Sequence, residues 1–182
     1  MQEHALSSRL PSTHNLLGSE AFTPQRPARR QAAMLDCHPA DELAELAAHF
    51  RIRREVFVVE QRLFVGSDRD IHDDDDASTI HVIGLVDGVP AGAVRLYPLG
   101  PRADGLWKGD RLAVLRRHRR DGIGRPLVKR AVALAAGLGG RRMDAQVQVA
   151  NVNFFRILGW SPVGDPAEQF GVPHQHMSIP LI

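Results

Sequence analysis

The 182-residue sequence has a single cysteine, Cys37. No disulfide can form within the chain, and no zinc site built on paired Cys-x-x-Cys elements can assemble. It has no run of about 18 apolar residues, so no membrane-spanning helix is expected. It lacks the basic-then-apolar N-terminal layout of a secretory signal, and a cytoplasmic location is the expectation. The net charge is only +2, too small to imply nucleic acid by itself. Lysine is scarce beside arginine, alanine and glycine, as in the proteins of a GC-rich bacterial genome. What remains is ordinary for one globular domain: 43% apolar and 24% charged residues, in a chain long enough to bury a core.

Residues 1–30 mix Ser, Pro, His, Gln and Arg without periodicity and read as a disordered tail, or as residues upstream of a later true start. The domain is expected over 31–182. A short strand is expected at Gln31–Cys37, then a helix opening near Asp41 with a stripe of Leu43, Leu46, Ala47, Phe50, Val56 and Phe57. The acidic stretch from Gly66 to Ser78 reads as a loop. Ile80–Val86 and Val89–Tyr97 flank Asp87-Gly88, a strong hairpin signal. Further elements are a strand within Trp107–Leu115, a helix from about Ile123 to Leu138 stopped by Gly139-Gly140, a strand at Met143–Val149, a short helix at Asn151–Leu158 and a last strand at His174–Leu181. The order β, α, hairpin, β, α, β, α, β predicts one mixed α/β domain with a partly antiparallel sheet.

The most informative segment is the loop Arg119-Arg120-Asp121-Gly122-Ile123-Gly124-Arg125 between a buried strand and an amphipathic helix. Glycines two apart allow a tight turn that exposes successive N–H groups at the positive end of a helix, flanked by three arginines. Such a nest suits a diphosphate. It is not a Walker loop, because no Gly-Lys-Ser/Thr follows. It lacks the third glycine of a dinucleotide fingerprint. A basic nucleic-acid patch over Arg116–Arg125 leaves the glycines unexplained, and a plain glycine turn with solvated arginines is the bland alternative.

Arg111-Leu112-Ala113-Val114 followed by Arg119-x-x-Gly122-x-Gly124 resembles motif A of the GNAT N-acetyltransferase superfamily. Asn151-Val152-Asn153-Phe154-Phe155-Arg156-Ile157-Leu158-Gly159-Trp160 resembles the superfamily's later Asn-x-x-Ala-x-x-Phe-Tyr-x-x-Leu-Gly-Phe helix. A narrower likeness, to the ElaA-like branch and to a GNAT subfamily of bacterial nitrogen-starvation gene clusters, rests on several segments. These are Arg53-Arg54-Glu55-Val56-Phe57-Val58-Val59-Glu60-Gln61, Asp68-x-Asp70, Asp73, Arg95-Leu96-Tyr97-Pro98 and Gly171-x-Pro173-His174. The Arg-x-x-Val-Phe…Asp…Arg-Leu pattern is shared more loosely with acyl-homoserine-lactone synthases.

The resemblance implies an α/β GNAT-like fold: a single mixed sheet with a central, splayed parallel strand pair flanked by helices. It implies acetyl-CoA as co-substrate, with no metal, and a small-molecule amine as acceptor, with neither nucleic acid nor membrane as partner; relatives are often homodimers. Backbone amides of Arg119, Arg120, Asp121, Gly122, Ile123, Gly124 and Arg125 would hold the diphosphate. Leu112, Ala113 and Val114 would pair with pantetheine as an added strand, using the backbone of Ala113 and Val114. Asn151, Phe154 and Phe155 would flank the CoA arm, although Asn151 could instead cap its helix. Glu60, Asp110 and His174 are the candidate bases. Arg53, Asp70, Asp73 and Arg95 would form the acceptor site, the arginines pairing with the acidic loop. Metal binding by His72 and Asp73–Asp76 matches no EF-hand spacing. One departure stands out: Phe155 occupies the position where many GNATs place a tyrosine that protonates the leaving thiolate. Three functions stay open at this point: an N-acetyltransferase, a non-catalytic acyl-CoA-binding sensor or subunit, and an acyl-homoserine-lactone-like synthase. A nucleic-acid role ranks behind all of them.

Overall fold

The Asp87-Gly88 pair does what its chemistry allows. Both residues adopt positive φ, 51° and 79°, the mirror-image turn whose twist matches that of a hairpin. It joins β2 (Ile80–Val86) to β3 (Val89–Pro98) in antiparallel register. The computed structural model describes residues 32–74 and 77–182. The expected N-terminal tail and Asp75 and Asp76 of the acidic run lie outside those residues.

Around the hairpin, β1 (Leu35–Pro39) pairs with β2, and β3 pairs with β4 (Leu106–Val114), both antiparallel. Next, β5 (Arg142–Gln148) lies parallel to β4, and β8 (Val172–Pro180) lies antiparallel to β5. Two short strands, β6 (Ser161–Pro162) and β7 (Ala167–Gln169), pair with β8. The sheet order is β1-β2-β3-β4-β5-β8-β6, with β7 beside β8. The sequence reading lacks β6 and β7 because two or three residues carry no alternation to detect.

The helices cover both faces. On one lies α3 (Gly124–Gly137), burying Leu127, Val128, Ala131 and Ala135 against Val82, Val94, Trp107, Met143 and Met177, with α4 (Val152–Ile157) on the same side. Its close approach requires two glycines of the sheet. A Cβ on Gly84 would lie 2.9 Å from Ile123 Cγ1, and one on Gly92 would lie 2.6 Å from Leu127 Cδ1. The helix ends as a Schellman turn: Gly139 has φ 84°, Gly140 N donates to Ala135 O at 2.8 Å, and Gly139 N donates to Ala136 O at 3.0 Å.

On the opposite face α1 (Leu43–Arg53) continues into a π-helical segment, Arg54–Glu60, whose Gln61 N bonds Val56 O at 2.9 Å. Ile52, Val56 and Phe57 pack on Ala93, Ala113 and Leu115. The expected stripe needs correction. Leu43 is 88% exposed, whereas His49 and Arg53 are fully buried. The departure lies within α1, ahead of the π turn: the buried His49 and Arg53 face partners in the sheet and the acidic loop. That loop also holds a single helical turn, α2 (Ile71–Asp74). Among the described residues, no helix is long and apolar enough to cross a membrane.

Candidate active site

The site begins where β4 leaves its parallel neighbour. Pairing of β4 with β5 stops at Lys108 opposite Asp144. On its other edge, the register against β3 shifts between Ala93 and Arg95, so β4 carries an extra residue there, and Arg111 sits at φ 52°. This bulge bends β4 away from β5. The strands splay as expected, and a chamber of about 460 Å³ passes between them. Its half toward α3 is apolar, lined by Val94, Val128, Met143, Phe155 and Trp160. Its other half is polar, lined by Asp70, Tyr97, Lys108, Asp110, Gln146 and His174.

The glycine loop stands at one end of the splay. Arg116–Asp121 forms 3-10 turns, Gly122 turns left-handed at φ 85°, and α3 starts at Gly124. The first helical N–H to find its i−4 carbonyl is that of Leu127, on Ile123 O at 3.2 Å. Pro126 has no N–H to leave unpaired, so the open donors of this turn are those of Gly124 and Arg125. Nothing lies within 4 Å of a Cβ placed on Gly122, whereas one on Gly124 would touch Phe154 Cζ at 3.6 Å and Val114 Cγ2 at 3.7 Å. The Ile123 side chain is a core anchor, 0% exposed. Asp121 braces the loop through His118 Nδ1 at 2.9 Å, and Arg120 and Arg125 are exposed.

Backbone alternation decides which groups of β4 face the splay. Leu115 N donates to Ala91 O at 2.9 Å on the β3 side, and Ala113 O also lies against β3, 3.2 Å from a Cβ on Gly92. Val114 therefore turns its N–H and C=O the other way. Its carbonyl accepts from Arg119 Nε at 3.2 Å. Expecting Ala113 to pair with an added strand thus needs correction: Val114 presents the groups, and Leu112, two residues away, lines the chamber.

The three candidate bases are in different circumstances. Glu60 pairs with Arg119 at 2.7 Å and does not line the chamber. Asp110 lines it but is gripped by Arg95, Nε to Oδ1 at 2.8 Å and Nη2 to Oδ2 at 2.7 Å. His174 lines it and donates from Nδ1 to Val172 O at 2.9 Å. A carbonyl can only accept, so the neutral ring keeps its lone pair on Nε2.

Arg53 and Arg95, both fully buried, tie the acidic loop to the sheet. Arg53 grips Asp73 with two bonds of 2.6 and 2.8 Å and Asp68 with one of 2.7 Å. Arg95 adds Asp70 at 2.6 and 2.9 Å to its grip on Asp110. Arg111 reaches Asp68 O at 3.1 Å and Asp70 Oδ2 at 3.1 Å. Three guanidiniums thus face four carboxylates, leaving one negative charge in excess. Burial works against the charged form of Asp73, yet the Arg53 hydrogen bonds and charge hold its pKa well below the usual carboxylate range; Arg95 and Arg111 depress Asp70 in the same way. Of the four acceptor-site candidates, only Asp70 faces the chamber. Arg53, Asp73 and Arg95 are buried scaffolding, because two guanidiniums sealed from water require those carboxylates.

Asn151 makes no side-chain cap bond to α4, and it lines the chamber. Phe155 packs edge-on against Phe154 at 5.5 Å and Trp160 at 5.4 Å. Several lining groups were missing from the sequence-based site: Lys108, Gln146, and the His72 ring stacked 3.8 Å from the Tyr97 ring. Arg111 over Phe64 at 4.7 Å, with Phe64 beside Phe170, forms a wall that also went unread. Strand alternation puts Lys108 on Asp110's face and was a usable signal; the stacking and the arginine's left-handed φ were not legible.

The model of the acetyltransferase (GNAT) family matches residues 40–160. This chain belongs to the GNAT family. The splayed β4–β5 pair and the glycine loop are thus features of a GNAT acyltransferase fold. The uncharacterized N-acetyltransferase YjcF of Bacillus subtilis (strain 168) is 31% identical over 138 residues, spanning 73% of this GNAT chain and 91% of YjcF. The crystal structure of an acyl-CoA N-acyltransferase from Pseudomonas aeruginosa superposes with a TM-score of 0.64 at 27% identity, covering 80% of this chain and 98% of that one. Escherichia coli ElaA shares the fold, with a TM-score of 0.66 at 22% identity over 80% of this chain and 98% of its own.

Proposed function

We propose that this GNAT chain moves an acetyl group from acetyl-CoA to the primary amine of a small cationic molecule. The observation that carries the reading is the chamber itself, which runs through the sheet between the glycine loop and a carboxylate-edged polar half. In this reading the CoA diphosphate lies over Gly122 on the N–H groups that open α3, and pantetheine extends β4 at Val114, displacing the Arg119 side chain from the Val114 carbonyl. The bulge aims a backbone amide at the thioester oxygen, where negative charge develops.

The acceptor enters from the polar half. Its ammonium is drawn to the exposed edge of Asp70, and its carbon frame packs on Phe64 and Phe170. His174 Nε2 takes the proton that the ammonium must lose before attack. The amine nitrogen then bonds to the thioester carbon and the C–S bond breaks; water carries the proton that the new amide nitrogen loses to the departing thiolate, since Phe155 has none to give. The narrower likeness to the nitrogen-starvation subfamily rests on sequence motifs alone.

The apolar half of the chamber favours a second reading, a longer acyl donor as an acyl-homoserine-lactone-like synthase would use, whose chain would run along the chamber walls at Val128 and Trp160. Phe155 favours the third, a sensor that binds acyl-CoA without turnover. One experiment separates them: calorimetry with CoA, then a panel of small amines with acetyl-, butyryl- and hexanoyl-CoA, following free thiol. Thiol release that depends on an amine and is fastest with acetyl-CoA supports the first reading. A preference for hexanoyl-CoA favours the second, and tight CoA binding without turnover favours the third. No heat with CoA removes all three.

A further inference from the structure

Lysine occurs at two positions in the whole sequence, 108 and 129. Lys129 is exposed on α3. Lys108 is different: it lies at the last parallel pair of β4 and β5, beside Tyr97 of β3, and lines the chamber where the strands part. The carboxylates around it are largely engaged by other cations. Asp110 is gripped by Arg95, and Asp144, opposite Lys108, meets Arg142 at 3.2 Å and His176 at 3.6 Å through its Oδ2. The other oxygen, Asp144 Oδ1, is buried with no hydrogen-bond partner among the described residues. Burial lowers the pKa of Lys108 below the ordinary lysine value; Asp110 and Asp144 push it back up, and Arg111 pushes it down. An arginine here would stay protonated at any accessible pH; a lysine can shed its proton and become a nucleophile.

We propose that Lys108 is a self-acylation site, which takes the acyl group of acyl-CoA when no acceptor amine fills the chamber. This rests on the acyl-CoA reading above. Asp144 Oδ1 or water receives a proton from the ammonium, and the Nζ lone pair attacks the thioester carbon. The C–N bond forms and the C–S bond breaks. The thiolate leaves with the electron pair and picks up the proton that the new amide nitrogen loses. The products are free CoA and an acyl-lysine. That amide resists hydrolysis, removes a positive charge from the polar half, and occupies space the acceptor needs. The result is a brake set by excess donor and forestalled by acceptor that fills the chamber first.

The test is intact-mass and peptide mapping of the full chain after incubation with millimolar acetyl-CoA at mildly alkaline pH and no amine, with CoA binding measured by calorimetry on the same sample. The expected product carries one acetyl group at Lys108, formed at least about tenfold faster than any label at Lys129, because a positioned amine has a large effective concentration. Urea-unfolded protein should lose that preference, and Lys129→Arg should keep the label. Lys108→Arg and Lys108→Gln should both lack it; should either variant misfold, the wild-type map still decides. CoA binding without label at Lys108, or labelling of Lys129 at an equal or higher rate, overturns the self-acylation site and leaves the transferase reading intact. Failure to bind CoA overturns both.

Discussion

Gly122 and Gly124 both belong to the motif, but the structure gives them different work. A Cβ at Gly122 projects into open space, the space a diphosphate would occupy, while one at Gly124 points inward to Phe154 and Val114 at ordinary contact distances of 3.6 and 3.7 Å. Alanine at 122 must also adopt φ near 85°, which costs an L-residue about 1–2 kcal/mol. Alanine at 124, in a helix, gains up to about 1 kcal/mol relative to glycine. The two variants should therefore melt on opposite sides of the wild type. Binding should diverge more. Displacing the ligand from one N–H bond to a charged oxygen forfeits about 1.5–3 kcal/mol, so Gly122→Ala should weaken CoA roughly ten- to hundredfold and Gly124→Ala by less than about threefold. Calorimetry with CoA, on protein shown to be folded by its melt, reads both. If Gly124→Ala weakens CoA as much as Gly122→Ala does, or Gly122→Ala binds like wild type, the diphosphate does not lie over Gly122.

The buried ionic cluster makes a second expectation: Arg95→Met strands Asp70 and Asp110 without their shared guanidinium and should cost about 3–5 kcal/mol in urea unfolding, while a loss under about 1 kcal/mol would show that the cluster is wet. Acid stability gives a third. His49 and His81 are held neutral, their pKa values pushed down to about 3 and about 4, chiefly by burial; a depressed pKa stabilises above the unfolded value and is lost as pH falls, so at pH 5 each should have forfeited about 2 kcal/mol. The depressed aspartates lose their stabilising contribution only as pH falls through the ordinary carboxylate range and below, which separates the two windows, and a double variant His49→Leu/His81→Leu that keeps the wild-type slope between pH 6.5 and 5 would refute the assignment. For the base, His174→Gln should lower amine-dependent kcat at neutral pH with little change in CoA affinity, and a parallel loss of CoA binding would mean that His174 supports the fold of the cleft instead.

What the sequence could and could not disclose follows from how each feature is encoded. The hairpin was legible because Asp-Gly at 87–88 has almost one use between two apolar runs. The splay was legible through the resemblance, since Arg111 at positive φ leaves no trace in a strand pattern. The acidic run is the instructive case. Charge runs are usually solvated, but here Asp68 and Asp73 are buried. The clue was distributed: Arg53 is on a helix and Arg95 on a strand, and each carries its charge on a face that the apolar pattern marks as interior. A buried guanidinium must find carboxylates, and the described residues nearest at hand are those of the loop. The same reasoning separates roles within one family of charges. A carboxylate sealed from the chamber among buried arginines, as Asp73 is, cannot also hold a substrate amine. Asp70, shared between Arg95 and Arg111 and still 36% exposed at its side chain, keeps a face toward the chamber. Position in the network, and not acidity in the sequence, decides which aspartate keeps an edge on the chamber.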